Sequence, residues 1–229
     1  MSLVAPVVTV DGPAGSGKST LGRGLARALR LPLVDTGLLY RGVTVAAARR
    51  GIAIDDLDGL AEVARGSRLE LNTDPDAATP ELLVDGADAG ADLRDPRHAG
   101  LLARVSSLPA VREALLEPQR ALARDGAVAV GRDCGTVVFP DAPVKFYLEA
   151  SEPVRLQRRV TQLRETGAQP GAATMTAEVT ARDRADSTRT AAPLRPAPDA
   201  VVIDTELLDV DAMLRRALEV CAAAGIVPP

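Results

Sequence analysis

The chain has 229 residues, of which 46% are hydrophobic and 25% charged, and its formal net charge is −4. This composition excludes global disorder, and the length suits one α/β domain with small appendages. A chain with a negative balance lacks the basic surplus of nucleic-acid binders, so we exclude a long polyanion as partner. A small anionic ligand stays possible because it needs only a local cluster of positive charge.

The N-terminus and the cysteines bear on where the protein works. Residues 1–6 lack the basic start and apolar core of a signal peptide, and no apolar run reaches the roughly 18 residues of a membrane span. Cys134 and Cys221 are far apart and form no recognised metal-binding spacing with His98. We therefore expect free thiols in a cytoplasmic monomer, with no membrane or nucleic-acid partner.

Apolar β-branched runs alternate with helical patterns along most of the chain, which predicts a parallel sheet covered by helices on both faces. Two alternating segments among Asp, Pro and Gly predict a small antiparallel insert. Pro118 is expected to kink or interrupt its helix. In chain order the predicted elements are a strand at 7–11, helix 19–30, strand 33–35, helices 38–50 and 56–65, insert strands 68–72 and 81–85, helix 111–124, strands 127–130 and 144–148, helix 152–164, a loop at 167–174, helix 176–187, strand 200–204 and helix 210–224.

A glycine-rich segment between the first strand and the first helix matches the pattern G-x-x-x-x-G-K-[ST]. Its glycines let successive backbone N–H groups turn inward around an anion, and the following helix adds its positive N-terminus. Lys18 then reaches the β- and γ-phosphates of ATP, and the Ser19 hydroxyl ligates Mg²⁺. Its place after a strand and before a helix favours this function over a chance turn. The candidate ATP-binding residues are Gly12, Pro13, Ala14, Gly15, Ser16, Gly17, Lys18, Ser19 and Thr20.

A phosphate loop does not by itself separate kinases from GTPases or ATP-driven motors. A switch GTPase carries an Asn-Lys-x-Asp motif, and this chain has lysine only at Lys18 and Lys145, so that motif is absent. A motor needs a strand that ends in a carboxylate for Mg²⁺. Asp133 satisfies that spacing, so this class stays open on spacing alone.

Charged residues follow the predicted strands where parallel sheets bind their ligands. Thr36, Tyr40 and Arg41 come after 33–35, and Arg132 and Asp133 after 127–130. Arg155, Arg158 and Arg159 lie within about one helical turn, and Arg182, Asp186 and Arg189 share one helical face. Solvated helix surface with internal ion pairs is the alternative. An arginine-rich site with one histidine in the whole chain favours a phosphate acceptor, which needs charge neutralisation more than a base.

Five segments together resemble bacterial cytidylate kinases, in order and across nearly the whole chain. The resemblance implies a P-loop kinase fold with a five-stranded parallel sheet, and transfer of the ATP γ-phosphate to CMP or dCMP. The segment 131–140 is the most specific of the five. The segments are 8–20, Asp35-Thr36-Gly37 with Tyr40-Arg41, Val111-Arg112-Glu113 with Gln119-Arg120, Gly131-Arg132-Asp133-Cys134-Gly135-Thr136-Val137-Val138-Phe139-Pro140, and Arg182-Asp183 with Asp186, Ser187 and Arg189.

The resemblance also implies residue roles. Arg41, Arg132 and Arg189 hold the CMP phosphate. The substrate-binding positions are Thr36, Tyr40, Arg41, Arg112, Arg132, Asp133, Arg182, Asp186 and Arg189, with Arg112 and Asp133 at the cytosine and Arg182 and Asp186 at the sugar. The catalytic candidates are Lys18, Arg132, Asp133 and Arg189, while Arg158 contacts ATP and Ser19 holds Mg²⁺. One departure is Ala103, where relatives tend to carry serine.

The same resemblance divides the single domain into three regions. The core comprises 1–65, 95–150 and 190–229, the nucleotide-binding insert comprises 66–94, and a helical lid comprises 151–189. Two alternatives remain at this stage. One is a P-loop kinase for UMP, AMP or shikimate, and the other is a nucleotide-hydrolysing binding module.

Overall fold

The computed structural model describes residues 6–77, 81–165 and 185–228. Its regular elements alternate as the sequence predicts, and a 3₁₀ turn at Pro96–His98 and a π-helical turn at Cys134–Val138 join them. The strands are β1 (Val7–Asp11), β2 (Leu33–Asp35), β3 (Leu69–Leu71), β4 (Leu82–Val84), β5 (Ala87–Asp88), β6 (Ala127–Gly131), β7 (Val144–Glu149) and β8 (Val201–Asp204). The helices are α1 (Lys18–Leu29), α2 (Thr36–Arg49), α3 (Leu57–Gly66), α4 (Ala99–Ser107), α5 (Pro109–Ala121), α6 (Glu152–Glu165) and α7 (Val210–Ala223).

The main sheet has five parallel strands in the order β2-β6-β1-β7-β8, which confirms the predicted α/β fold. Strand β1 lies at its centre, with Val10 opposite both Val130 and Phe146. Val10 and Phe146 belong to the apolar cluster that α1 and α7 cover. Because side chains alternate along a strand, Thr9 and Asp11 point to the other face, towards the π-helical turn.

The insert is a three-stranded antiparallel sheet in the order β3-β4-β5. It packs on α2 at Gly42, where a Cβ would lie 2.8 Å from Leu82 and 2.9 Å from Leu69. Leu82 is completely buried, so this contact anchors the insert in the second apolar cluster of the protein. The small antiparallel insert expected from the sequence is therefore present.

Three local features differ from the sequence expectations. Helix α4 was not predicted, because it is only nine residues long and ends shortly before Pro109. Helix α5 continues through Pro118 to Ala121, so the prediction that Pro118 interrupts it is wrong. The proline lies in the last turn, where it removes one backbone donor shortly before the helix ends. Helix α2 begins at Thr36, two residues early, since the Asp35 carboxylate accepts a hydrogen bond from the Gly37 amide at 3.0 Å.

Of the expected lid, residues 151–165 and 185–189 belong to the described part of the chain. The predicted loop at 167–174 and most of the helix at 176–187 lie outside the described residues, and residues 185–188 are helical. Among the helices of the described ranges, none has the length and apolar character needed to cross a bilayer.

Candidate active site

The glycine-rich loop connects the end of β1 to the start of α1. Gly12, Gly15 and Gly17 have φ angles of 147°, 76° and 95°. Residues that carry a side chain rarely adopt such positive angles. A Cβ on Gly12 would lie 2.4 Å from the Leu148 carbonyl oxygen, so the loop also lies too close to β7 for a larger residue. The Lys18 ammonium reaches back over the loop and donates to the Pro13 carbonyl oxygen at 2.6 Å. This is the geometry that the motif predicts for a phosphate-binding loop.

Helix α6 packs directly against this loop. The Arg155 guanidinium donates to the carbonyl oxygens of Ala14 and Ala150, both at 3.0 Å. A Cβ on Gly15 would lie 2.7 Å from the Arg155 carbonyl oxygen, so glycine is required where helix and loop meet. Buried Arg155 thus acts as a cross-link between the two segments, a function that the sequence did not indicate.

Arg158 lies one turn further along α6 and contacts the residue that follows β8. Its guanidinium donates to the Thr205 hydroxyl at 2.8 Å and to the Thr205 carbonyl oxygen at 2.7 Å. The Thr205 hydroxyl in turn lies 3.2 Å from the Ser16 carbonyl oxygen of the loop. The structure therefore connects Arg158 to the phosphate loop through Thr205, which sequence reasoning missed because threonine after a strand is common.

Five of the expected substrate-binding side chains form one chain of ion pairs. Asp133 pairs with Arg112 through a short hydrogen bond, and its other oxygen lies 3.6 Å from Arg189 Nη2. Asp186 lies 3.4 Å from Arg189 Nη1 and 2.9 Å from Arg132 Nε. We call these residues the arginine cluster; it comprises Arg112, Arg132, Asp133, Asp186 and Arg189. Three guanidinium groups face two carboxylates, so the arginine cluster itself carries one net positive charge.

Arg189 faces both carboxylates of the arginine cluster, but at longer distances than Arg112 and Arg132 have to theirs. Its Nη2 is buried and has no hydrogen-bond partner among the described residues, although Asp133 is near enough for an ion pair. Burial and the neighbouring Arg112 charge lower the pKa of Arg189. Burial also acts to lower the pKa of Arg112, but the charge of Asp133 and the hydrogen bond to it raise it overall. A buried donor with this surplus of charge suits an oxygen of an anionic ligand.

Tyr40 packs against the cluster, whereas Thr36 and Arg41 bond backbone carbonyl oxygens next to it and at the insert. The Arg112 guanidinium carbon lies 5.1 Å from the centre of the Tyr40 ring, and burial raises the Tyr40 pKa to about 12, so the ring stays neutral. The Thr36 hydroxyl donates to the Val130 carbonyl oxygen at 3.0 Å. Arg41 Nη1 donates to the Leu93 carbonyl oxygen at 2.6 Å, which ties α2 to the end of the insert region. The expected contribution of Arg182 lies outside the described residues.

Asp11 is a further buried charge that the sequence did not single out. Its carboxylate accepts hydrogen bonds from the backbone amides of Cys134 at 2.9 Å and Gly135 at 2.7 Å. Burial raises its pKa to about 6, against the opposing effect of these two hydrogen bonds. An acidic residue that ends an otherwise apolar buried strand was the available signal for its importance.

Ser19 has surroundings that fit Mg²⁺. It lines a cavity of about 90 Å³ together with Asp35 and Arg23, at the carboxyl edge of the main sheet. Mg²⁺ binds oxygen ligands and keeps several positions for water and substrate phosphates, so one hydroxyl with a nearby carboxylate is a suitable protein contribution. The cluster of three or more acidic, cysteine or histidine side chains that a fully protein-bound metal requires does not occur in the described residues.

A larger cavity of about 420 Å³ lies on the other side of the loop, beside Pro13. Its lining includes Glu149, Asp204 and Glu206 at the ends of β7 and β8. Because these carboxylates repel anions, the cavity is unsuited to a phosphate group. Anion binding is therefore assigned to the phosphate loop and to the arginine cluster.

The comparison with known proteins agrees with this geometry. The family model for cytidylate kinase matches residues 8–223. The chain belongs to the cytidylate kinase family. The cytidylate kinase of Citrobacter koseri is 41% identical over 221 residues, and that of Escherichia coli O1:K1 / APEC is 40% identical over 220, each match covering 96% of both chains. A bifunctional pantoate ligase/cytidylate kinase of Synechococcus sp. is 43% identical over 89% of this chain, which spans only 38% of that protein. The resemblance seen in the sequence is thus confirmed.

Proposed function

We propose that this protein transfers the γ-phosphate of ATP to CMP or dCMP, forming ADP and CDP or dCDP. The observation that carries the proposal is the arginine cluster, which lies at the carboxyl edge of the same sheet as the phosphate loop in a member of the cytidylate kinase family. A phosphate donor and a phosphate acceptor thereby have neighbouring sites. The activity in the names of the relatives supports the same reaction.

On the acceptor side, Arg132 and Arg189 bind the CMP phosphate, together with Arg41. The second pKa of a phosphate monoester is about 6, so near neutral pH the acceptor is already a nucleophilic dianion. It needs alignment and charge neutralisation rather than a general base. Arg132 and Arg189 share Asp186 as a partner in this structure. A phosphate dianion competes well with this carboxylate for the two arginines, because it offers more charge and more oxygens.

The base is selected by the pair of Arg112 and Asp133. Cytosine presents an amino group that donates, and the buried Asp133 carboxylate accepts. Uracil presents a carbonyl oxygen at the same position, which the carboxylate would repel. Arg112, held by Asp133 and the Ser106 carbonyl oxygen, supplies donors for the acceptors of cytosine. Asp186 and Arg182 are assigned to the sugar.

On the donor side, the loop from Gly12 to Thr20 holds the ATP phosphates, and Lys18 moves from the Pro13 carbonyl oxygen to the transferred phosphoryl group. Ser19 would hold Mg²⁺, which when bound neutralises charge on the phosphates. Arg158 adds positive charge from α6. In the domain division that we propose, 66–94 serves the acceptor and 151–189 covers the donor.

One experiment tests the function against its alternatives. ATP consumption is measured with CMP, dCMP, UMP, AMP and shikimate, and without acceptor. We expect rapid turnover with CMP or dCMP and slow turnover otherwise. A preference for UMP would refute the base assignment, and hydrolysis without acceptor as the main activity would favour a nucleotide-hydrolysing binding module.

A further inference from the structure

Asp11 lies at the junction of the two halves of the site. It is the last residue of β1, directly before Gly12 of the phosphate loop, and only 4% of its surface is exposed. Each of its carboxylate oxygens accepts one hydrogen bond from successive backbone amides, those of Cys134 and Gly135. Paired amides of this kind typically hold a bound anion, and here the anion is the protein's own side chain.

The turn that Asp11 holds carries two of the proposed substrate-binding residues. Gly131 pairs with Asp11 in the sheet, and Cys134 and Gly135 are bonded to its carboxylate. Only Arg132 and Asp133 lie between these attachment points. Both ends of this two-residue segment are therefore fixed to the strand that leads into the phosphate loop.

The turn also packs closely against the sheet at the place where Asp11 holds it. A Cβ on Gly131 would lie 2.6 Å from Cys134 Sγ, and one on Gly135 would lie 2.8 Å from the Thr9 hydroxyl oxygen. Both glycines lie in a close approach between the turn and the sheet. A small displacement of the turn would carry Arg132 and Asp133 away from the cluster that they form with Asp186 and Arg189.

We propose that Asp11 is a positioning residue for phosphoryl transfer. It fixes Arg132 and Asp133 relative to the phosphate loop, so that the acceptor phosphate is aligned with the γ-phosphate of ATP. The inference rests on the proposed function, because it assigns Arg132 and Asp133 to the acceptor. Asp11 itself touches neither substrate, since both of its oxygens are engaged by the turn.

The first test compares Asp11→Asn with Thr9→Val. The asparagine side chain has one oxygen to accept a hydrogen bond, whereas the Cys134 and Gly135 amides need two acceptors. Its NH₂ group would therefore face one of these backbone N–H groups. Thr9 lies on the same face of β1, its buried hydroxyl has no hydrogen-bond partner among the described residues, and valine keeps its shape. We expect Asp11→Asn to lower kcat/KM for CMP by about 100-fold, the size of effect that a misplaced reacting group produces. The Kd of a non-hydrolysable ATP analogue stays within about twofold, and Thr9→Val behaves as the wild type.

Amide hydrogen exchange gives a readout that is independent of turnover. The Cys134 and Gly135 amides should exchange at least about tenfold faster in Asp11→Asn than in the wild type and Thr9→Val. A loss of thermal stability with unchanged kinetics for CMP would overturn the proposal. So would an equal loss of affinity for the ATP analogue and CMP, because Asp11 would then act on the whole site.

Gly135→Ala displaces the same turn from the opposite side and covers the case in which Asp11→Asn does not fold. We expect the same selective loss of kcat/KM for CMP. Normal kinetics in Gly135→Ala together with fast exchange of its turn amides would refute the proposal. Wild-type enzyme that fails to phosphorylate CMP would instead refute the proposed function, while the exchange measurement still tests whether Asp11 holds the turn.

Discussion

The phosphate loop and the arginine cluster both lie at the carboxyl edge of the main sheet, and they are built differently. The loop is a continuous segment whose backbone amides and single lysine bind phosphate. The cluster takes its charges from α5, from the turn after β6 and from residues 186–189. A continuous site tolerates no change in its glycines, whereas a dispersed site depends on the elements that bring its side chains together. Substitutions in the loop and in the cluster should therefore affect the donor and the acceptor differently.

Lys18→Ala should give the largest effect, a loss of turnover of at least about 1,000-fold, because one fixed charge at the transferred phosphoryl group is lost. The fold should persist, since the Lys18 ammonium bonds a carbonyl of its own loop. Steady-state kinetics and thermal melting measure both effects. Arg68→Ala is the control, because it also removes one positive charge, but the exposed Arg68 side chain pairs only weakly with Glu70 in the insert. It should keep its turnover; similar turnover in the two variants would contradict the assignment of Lys18.

Arg132→Ala should raise the KM for CMP by about 100-fold, because the acceptor phosphate loses a charged donor worth about 3 kcal/mol. Asp186 also loses one of its two arginine partners. The KM for ATP should change little. Substrate titrations in which each nucleotide is varied separately provide the measurement. Arg97→Ala is the control, since the Arg97 side chain is 84% exposed and its ion pair with Asp95 contributes little. Equal changes in both KM values would show that the cluster is not specific to the acceptor.

Asp133→Asn should reduce the preference for CMP over UMP by about tenfold or more, because the amide can donate to the uracil carbonyl that the carboxylate repels. The ratio of kcat/KM for the two nucleotides measures this effect directly. Total activity should also fall, as Arg112 and Arg189 lose a charged partner. An unchanged ratio would remove Asp133 from base selection and leave it as a structural partner of these arginines.

Thr205→Val should give the smallest effect, a rise in the KM for ATP of about tenfold with the KM for CMP unchanged. The variant removes the hydroxyl that joins Arg158 to the loop, a hydrogen bond to a charged group worth about 1.5 kcal/mol, while the bond from Arg158 to the Thr205 carbonyl oxygen remains. Thr161→Val on α6 is the control, because the exposed Thr161 hydroxyl bonds the Gln157 carbonyl oxygen of its own helix. A change confined to CMP kinetics would place Thr205 in the acceptor half.

The difference between the two regions also explains what the sequence could predict. The strands and the phosphate loop follow from contiguous patterns, and helix α2 differs only at its N-terminal cap. Helix α4 was not predicted because a nine-residue helix is marginal on its own and depends on its packing against α2. The functions of Asp11 and Thr205 escaped prediction because their partners are more than 100 residues away, at Cys134 and Ser16 respectively.

The roles of the cluster residues were available only through family resemblance. Arginine is so common in this chain that no single position stands out, and lysine occurs twice among 27 basic residues. The spacing of Asp186 and Arg189 predicts a shared helical face, and their contacts with Arg132 and Asp133 require the fold. Site roles for these residues therefore stay predictions until the variants are measured.

Because lysine is scarce in this protein, amine-selective chemical labelling can be directed to few side chains. Its side-chain amines are Lys18 and Lys145, and both are only 7% exposed. The ammonium of Lys145 is held by Asp199, whereas that of Lys18 lies in the loop that binds ATP. Acylation of Lys18 by an amine-selective reagent, read by mass spectrometry, would report occupancy of the donor site without any substitution. Added ATP should protect Lys18 from the reagent, and added CMP alone should not.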